Sequence, residues 1–379
     1  MISCEALFGV FSNNDITFFS GVPDSTFKDW MTYLAGNHGK RLTNIIACNE
    51  CEAVALAAGY HLATGKIGVV YMQNSGEGKA VNPLTSLCDP EVYSIPLIMM
   101  IGWRGEPGKA DEPQHKKMGR ITIPLLETLE VPYEIMPDEI NKAKRTVTDI
   151  IKAAQERGGP VALIIRSNTF EKYISERSVD EDSAGEASMT REDAIRIIVD
   201  NLDGDEIIVS TTGKTSRELF EFRVRRGEDA RDFYTVGSMG CAVSIANAIA
   251  LSRRNKRVVV FDGDGAVLMQ MGSLATVGYY HAKNLYHIVY DNMSYDSTGG
   301  QPTTSSKVDF EKIALACNYK SAVTVKSEEK LKDEIHRLKR IAGPHMMIVR
   351  VKQGSRKDLG RPTKTPVENK EDFSSRVRQ

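Results

Sequence analysis

Two α/β units of similar size, each built on a mainly parallel sheet flanked by helices, are predicted from three observations. Short apolar runs alternate with amphipathic stretches between residues 16 and 165, the same rhythm resumes at residue 207, and a polar, acidic stretch divides the two series. Strands that recur between helix-length segments form βα units, in which each strand pairs in parallel after a helical crossover.

In the first series, residues 16–19, 45–47, 67–72, 97–101 and 161–165 read as strands, being apolar and too short for helices. Residues 171–190 (EKYISERSVDEDSAGEASMT) then lose all apolar periodicity and read as a linker. The second series has strands at 207–210, 233–235, 258–261, 287–290 and 346–351. The boundaries drawn from this are a first unit at 1–172, an acidic linker at 173–189, a second unit at 190–352 and a charged tail at 353–379. No short repeat relates the halves, so any kinship between them is structural. The tail is short of apolar residues, and a solvated or partly disordered state is its default reading. Its Arg356, Lys357 and Arg361 could instead cover an anionic ligand.

With 49 Lys and Arg against 50 Asp and Glu, the formal net charge of −1 offers no global attraction to nucleic acid, and a small-molecule partner is expected. The most apolar stretch, 95–103, contains a proline and is too short to span a bilayer, and no basic segment with a long apolar run opens the chain. A cytoplasmic protein without a membrane partner follows. Six cysteines (Cys4, Cys48, Cys51, Cys88, Cys241, Cys317) in 379 residues do not resemble a disulfide framework and are expected to be free thiols. Cys48 and Cys51 have redox-motif spacing but lie at a helix start without the matching flanks, and read as buried thiols.

Chemistry concentrates where strands end. The strand at 258–261 runs into Asp262-Gly263-Asp264-Gly265-Ala266, a glycine-rich turn ahead of a helix, where backbone N–H groups can approach a phosphate. A diphosphate needs countercharge, and a magnesium ion takes hard oxygen ligands, of which Asp264 can supply one. Asn292 follows 28 positions later, at the next strand end, with Ser294 just beyond. Alone, such a turn also serves purely conformational ends.

This spacing resembles the signature of the thiamine diphosphate enzymes, a Gly-Asp-Gly turn followed by a distant Asn. The resemblance implies two thiamine-diphosphate-binding-fold domains, with Mg2+ held by Asp264, Asn292 and the Ser294 carbonyl. Gly237-Ser238-Met239-Gly240 resembles the family's G-x-M-G turn, whose methionine props the cofactor into a bent form. Without its neighbours Met239 would equally read as a core residue. In the first half, residues 49–60 (NECEAVALAAGY) resemble the helix that carries the family's catalytic glutamate, nine positions before a Gly-Tyr pair. Glu50 fits that register and Glu52 does not. The resemblance implies that Glu50 holds a proton against the cofactor's pyrimidine; both glutamates also suit the positive end of a helix. It further implies a homodimer or higher homo-oligomer, with active sites at the subunit interface.

Further stretches, among them Gly21-Val22-Pro23-Asp24-Ser25, Gln73-Asn74-Ser75-Gly76, residues 102–108 and 111–115, Gly213-Lys214 and Ser297-Thr298-Gly299-Gly300, resemble the phosphonopyruvate decarboxylases and less closely the sulfopyruvate decarboxylases. The likeness spans nearly the whole chain and implies 3-phosphonopyruvate as substrate, sulfopyruvate as its alternative, and a role in phosphonate biosynthesis. A catalytically silent, cofactor-binding regulatory protein is the alternative of another class. Arg104 and Lys109, in a loop of several cations, and Ser25, Asn74 and Gln114 are the candidate substrate contacts, an arginine being able to grip an oxyanion in bidentate fashion. His115 is either a proton donor or a phosphonate contact. Asp24 either transfers a proton or caps the next helix. Gly213, Lys214, Gly263, Gly265, Ala266 and Gly299 join Gly237 and Met239 as cofactor contacts, with Gly299 in a turn placed to close over the diphosphate.

Overall fold

The computed structural model describes residues 1–174, 187–228 and 231–379. The chain divides near residue 180 into two compact units. In the first, six strands form one parallel sheet: β1 (Phe18–Gly21), β2 (Thr43–Ile46), β3 (Gly68–Gln73), β4 (Leu97–Gly102), β5 (Tyr133–Ile135) and β6 (Pro160–Ile165), in the order β2-β1-β3-β4-β6-β5. Successive residues of β3 point to opposite faces: Val69 and Tyr71 join Phe19, Trp30 and Tyr33 on one side, and Val70 and Met72 join Val54, Ala57 and Leu84 on the other. Burial on both faces is why such strands read as unbroken apolar runs.

The second unit has β7 (Ile207–Ser210), β8 (Phe233–Tyr234), β9 (Val258–Gly263), β10 (Leu285–Asp291), a two-stranded antiparallel hairpin β11 (Ser294–Tyr295) and β12 (Gln301–Pro302), then β13 (Ser321–Val325) and β14 (His345–Arg350). Its main sheet, β13-β14-β10-β9-β7-β8, is also six-stranded and parallel. Read from the β8 edge, its strands run second, first, third, fourth, sixth, fifth, the order of the first sheet. The two units thus repeat one topology without a visible sequence repeat. β5 and β13, absent from the sequence reading, each lie at one edge of their sheet; paired on one side only, they need no continuous apolar run, and β13 buries only Val325 fully.

Most of the linker, residues 175–186, lies outside the described residues. The tail corrects its reading. Pro366–Arg378 is a helix, started by proline and by a capping box in which the Thr365 hydroxyl and the Glu368 carboxylate satisfy each other's backbone N–H groups. It packs Phe373 against Phe233 at 5.2 Å between ring centres, while the Asn369 side chain accepts from the Tyr234 N–H at 3.2 Å and donates to the Asp232 carbonyl at 2.8 Å. A two-residue edge strand needs such a cover, and the few apolar residues that provide it are too sparse to show as a periodicity. Arg356 is ion-paired with Glu192, Glu221 and Asp358. All six cysteines are free; Cys4 and Cys88 are buried, whereas Cys51 is exposed and Cys48 half-buried, so that pair is not the buried one expected. Among the described residues no helix is long and apolar enough to cross a membrane.

Candidate active site

In the second unit the strands β10, β9, β7 and β8 are consecutive neighbours, so the loops that leave their C-terminal ends lie side by side. Gly263 is in register with Tyr290, which sets Asp264 beside the Asp291-Asn292 end of β10. A side-chain carbon on Gly265 would lie 2.7 Å from the Tyr295 ring and 3.3 Å from the Met239 methyl, and one on Gly240 would lie 2.8 Å from the Ala266 carbonyl. The 237–240 turn therefore sits directly on the glycine turn after β9. Gly237 N–H donates to the Thr212 hydroxyl at 3.0 Å, and Lys214 Nζ donates to the Asp296 carbonyl at 3.3 Å. Gly213, at φ 94°, faces Ser297, and Gly299, at φ 127°, ends the same loop; both conformations favour glycine.

The polar groups here are buried and ordered. Asp264 accepts from Thr303 Oγ1 at 2.5 Å. The Asn292 amide donates to Asp296 at 2.7 Å, which turns its oxygen toward the Ser294 N–H, 3.0 Å away. The Ser294 hydroxyl is buried without a hydrogen-bond partner. Burial and the neighbouring negative Asp291 push the Asp264 carboxyl well above the usual carboxylate range. Two buried acids in one site, a carboxamide oxygen beside them and a turn with no room for a side chain at Gly265 suit a diphosphate with a hard cation. Among the described residues no three His, Cys, Asp or Glu side chains converge as a metal centre.

In the first unit, acids gather at the ends of β1, β2 and β3. Glu50 opens the helix Glu50–Thr64, which is capped by Asn49 and stopped by Gly65. The carboxyl of Glu50 is buried, with Oε2 unpartnered except for Lys79 Nζ at 3.8 Å. A side-chain carbon on Gly76 would lie 2.4 Å from Glu50 Oε1, so that glycine makes room for it. Asp24 is fully buried, which raises its pKa although Gln73 donates to it at 2.9 Å. Glu77, just beyond β3, is buried with neither oxygen hydrogen-bonded, and burial pushes it up to about 8.

The loop after β4 is internally paired. Arg104 donates to Asp111 through Nε at 2.9 Å and Nη2 at 2.6 Å, and to the Ser25 hydroxyl through Nη1 at 3.2 Å. His115 is buried next to Gln114, and burial together with the Arg104 charge lowers its pKa to about 4. The imidazole is therefore neutral at physiological pH.

The N-terminal domain of thiamine pyrophosphate enzymes, described as their N-terminal TPP binding domain, matches residues 3–121, and their C-terminal TPP binding domain matches residues 211–350. A phosphonopyruvate decarboxylase of Streptomyces viridochromogenes is 35% identical over 97% of this chain and 93% of its own. The chain belongs to the thiamine pyrophosphate enzymes, in the family of the phosphonopyruvate decarboxylases. It is accordingly a thiamine diphosphate-dependent decarboxylase, a carboxy-lyase. A phosphonopyruvate decarboxylase of Streptomyces hygroscopicus is 34% identical over 97% of this chain and 92% of its own. A sulfopyruvate decarboxylase subunit beta of Methanocaldococcus jannaschii is 44% identical over 37% of this chain and 72% of its own.

Within this family member, the second unit brings together Gly213, Lys214, Gly237, Met239, the 263–266 turn, Asn292, Ser294 and Gly299. The first unit gathers Asp24, Ser25 and Arg104 in one network. Lys109 stands apart, exposed and ion-paired with Glu106 at 2.5 Å. Asn74 is fully buried, its amide donating to the Arg104 carbonyl at 2.8 Å and to the Thr122 hydroxyl at 2.9 Å. Sequence reasoning did not single out Glu77, Asp291, Asp296 or Thr303. Glu77 had a signal, since it follows β3 as Glu50 follows β2; Thr303 had none, because nothing in the sequence ties it to Asp264 across 39 positions.

Proposed function

We propose that the chain catalyses the Mg2+-dependent, non-oxidative decarboxylation of 3-phosphonopyruvate to phosphonoacetaldehyde and carbon dioxide, a step of phosphonate biosynthesis in the cytoplasm, as a homodimer or higher homo-oligomer with active sites completed between subunits. The observation that carries the substrate is the full-length likeness to a phosphonopyruvate decarboxylase, 35% identical with 93% of that protein covered. Six free thiols support the reducing compartment.

Asp264, Asn292 and the Ser294 carbonyl would hold the cation, and Gly213, Lys214, Gly237, Gly263, Gly265, Ala266 and Gly299 the diphosphate, with Met239 supporting the bent cofactor. When bound, thiamine diphosphate supplies a nucleophilic thiazolium carbon and takes up the electrons released with carbon dioxide. Glu50 would share a proton with the pyrimidine N1′ of the bound cofactor. Asp24, its pKa raised by burial, is the second carboxyl of this unit proposed to take part in proton transfer. His115, neutral at working pH, acts as a hydrogen-bonding group and not as a cation. Arg104 gives three donors to Asp111 and Ser25, which leaves two of a guanidinium's five for the phosphonate; Ser25 and Gln114 complete the proposed substrate contacts, while the buried Asn74 braces the Arg104 backbone instead and Lys109 stands apart on Glu106.

Carbon dioxide release by the purified protein, with cofactor and Mg2+, from 3-phosphonopyruvate and from sulfopyruvate tests the substrate. Faster release from sulfopyruvate reverses the assignment, and the 44% identity to a sulfopyruvate decarboxylase subunit beta makes that the second reading. Glu50→Gln tests the chemistry against a silent binder: the variant should keep cofactor affinity and lose about 10²-fold or more in turnover. Undiminished turnover would refute the role of Glu50.

A further inference from the structure

We infer that Thr303, locked by Ser305, is the positioning residue of the cation site, setting the plane of the Asp264 carboxylate and tying it to the loop that carries Asn292 and Ser294. The inference rests on the proposed reading of Asp264 and Asn292 as cation ligands.

Thr303 touches both ligand segments at once. Its hydroxyl lies 2.5 Å from Asp264 Oδ2, and its backbone N–H donates at 3.0 Å to the carbonyl of Met293, the residue between Asn292 and Ser294. Met293 sits at φ 56°, so this loop holds an uncommon conformation that the bond helps to fix. The hairpin explains how a residue so distant in sequence arrives there: Ser294 pairs with Pro302 and Tyr295 with Gln301, which delivers Thr303 back to the start of the loop.

The hydroxyl itself is held. The Thr303 hydroxyl has a single hydrogen, within reach of both Asp264 Oδ2 and Ser305 Oγ, the latter at 2.9 Å, and its oxygen receives the Ser305 N–H at 3.4 Å. Ser305 Oγ is in turn 2.8 Å from Asp291 Oδ1, and Asp291 is fixed by Arg350 Nη1 at 2.5 Å on its other oxygen. Thr303, Ser305 and Asp291 are all buried. The chain of contacts therefore runs from β14 through the end of β10 to Asp264, where it anchors Oδ2. Such partners of metal ligands are worth about 10- to 100-fold in affinity.

The test is calorimetric titration of Mg2+ into the full-length protein saturated with thiamine diphosphate, a readout independent of turnover, on wild type, Thr303→Val, Thr303→Ser, Ser305→Ala and Asp264→Ala. Thr303→Val should weaken Mg2+ binding about 10-fold or more, with the melting temperature measured without Mg2+ unchanged, and Thr303→Ser should restore affinity to within about 3-fold. Ser305→Ala should weaken it by a smaller factor, and it decides the matter if the valine variant does not fold. Unchanged affinity in Thr303→Val, or in Ser305→Ala where valine fails, overturns the inference while Asp264→Ala still abolishes binding. Unchanged affinity in Asp264→Ala overturns the reading of the cation site itself.

Discussion

Replacing Glu77 with glutamine removes the one ionisation that the buried end of β3 opposes most strongly. Its carboxyl has no hydrogen-bond partner, and the Thr122 hydroxyl gives its hydrogen to the Met118 carbonyl at 2.8 Å. The unfolded chain loses the Glu77 proton near its ordinary value of 4.5, the folded chain near 8. Below 4.5 both states carry the proton and the site is neutral in stability. As pH rises from there, only the unfolded state gains from ionising, and the folded state falls behind by about 1.4 kcal/mol per pH unit, reaching about 5 kcal/mol near pH 8 and then levelling off. Glutamine has no such term. Its buried amide adds a constant cost of about 1 to 3 kcal/mol for unmet hydrogen bonds, which shifts the comparison without tilting it. Urea denaturation of wild type and Glu77→Gln at intervals from pH 5 to 9 should show the variant gaining relative stability steadily up to about pH 8. A difference that stays flat across that range would refute the argument, because it would mean that Glu77 ionises at the same pH in both states.

Gly76→Ala should displace Glu50, costing about 1 to 3 kcal/mol by overpacking and most of the decarboxylase activity. Gly78→Ala, in the same helix region with nothing within 4 Å of the added carbon, should leave activity unchanged; steady-state kinetics on the pair separates local crowding from general damage. Asn369→Ala leaves the Tyr234 N–H and Asp232 carbonyl unpaired under the terminal helix, and thermal unfolding should show a loss of about 1 to 3 kcal/mol. Cys4 and Cys88, buried and pushed up to about 12, should stay unmodified by iodoacetamide in the native protein and react only in urea, as peptide mass mapping will record.

Much of the site was legible because its chemistry sits at strand ends, where local signals are strong. The Gly263-Asp264-Gly265 turn combines a conformational need with a charge, and the distance to Asn292 is that of one helical crossover between neighbouring strands. Glu50 announced itself through a helix start after a strand. Arg104 was legible as a cation but not as one engaged by Asp111, since two side chains seven positions apart meet only if the loop folds back. The helix at 366–378 was hidden because Phe373 and Asn369 are its only buried residues, and it is stabilised by the edge strand it covers.

The sequence by itself determined the two α/β halves, the Gly263-Asp264-Gly265 turn at a strand end and the place of Glu50 at a helix start, because each rests on local rules: period, strand length, turn residues and spacing over one βα unit. Only the tertiary structure decided that both sheets share one strand order, that Thr303 lies on Asp264 and that Glu77 has no partner for its charge. Those facts depend on which distant segments pack together and on how much water they exclude, and neither is written in the order of neighbouring residues.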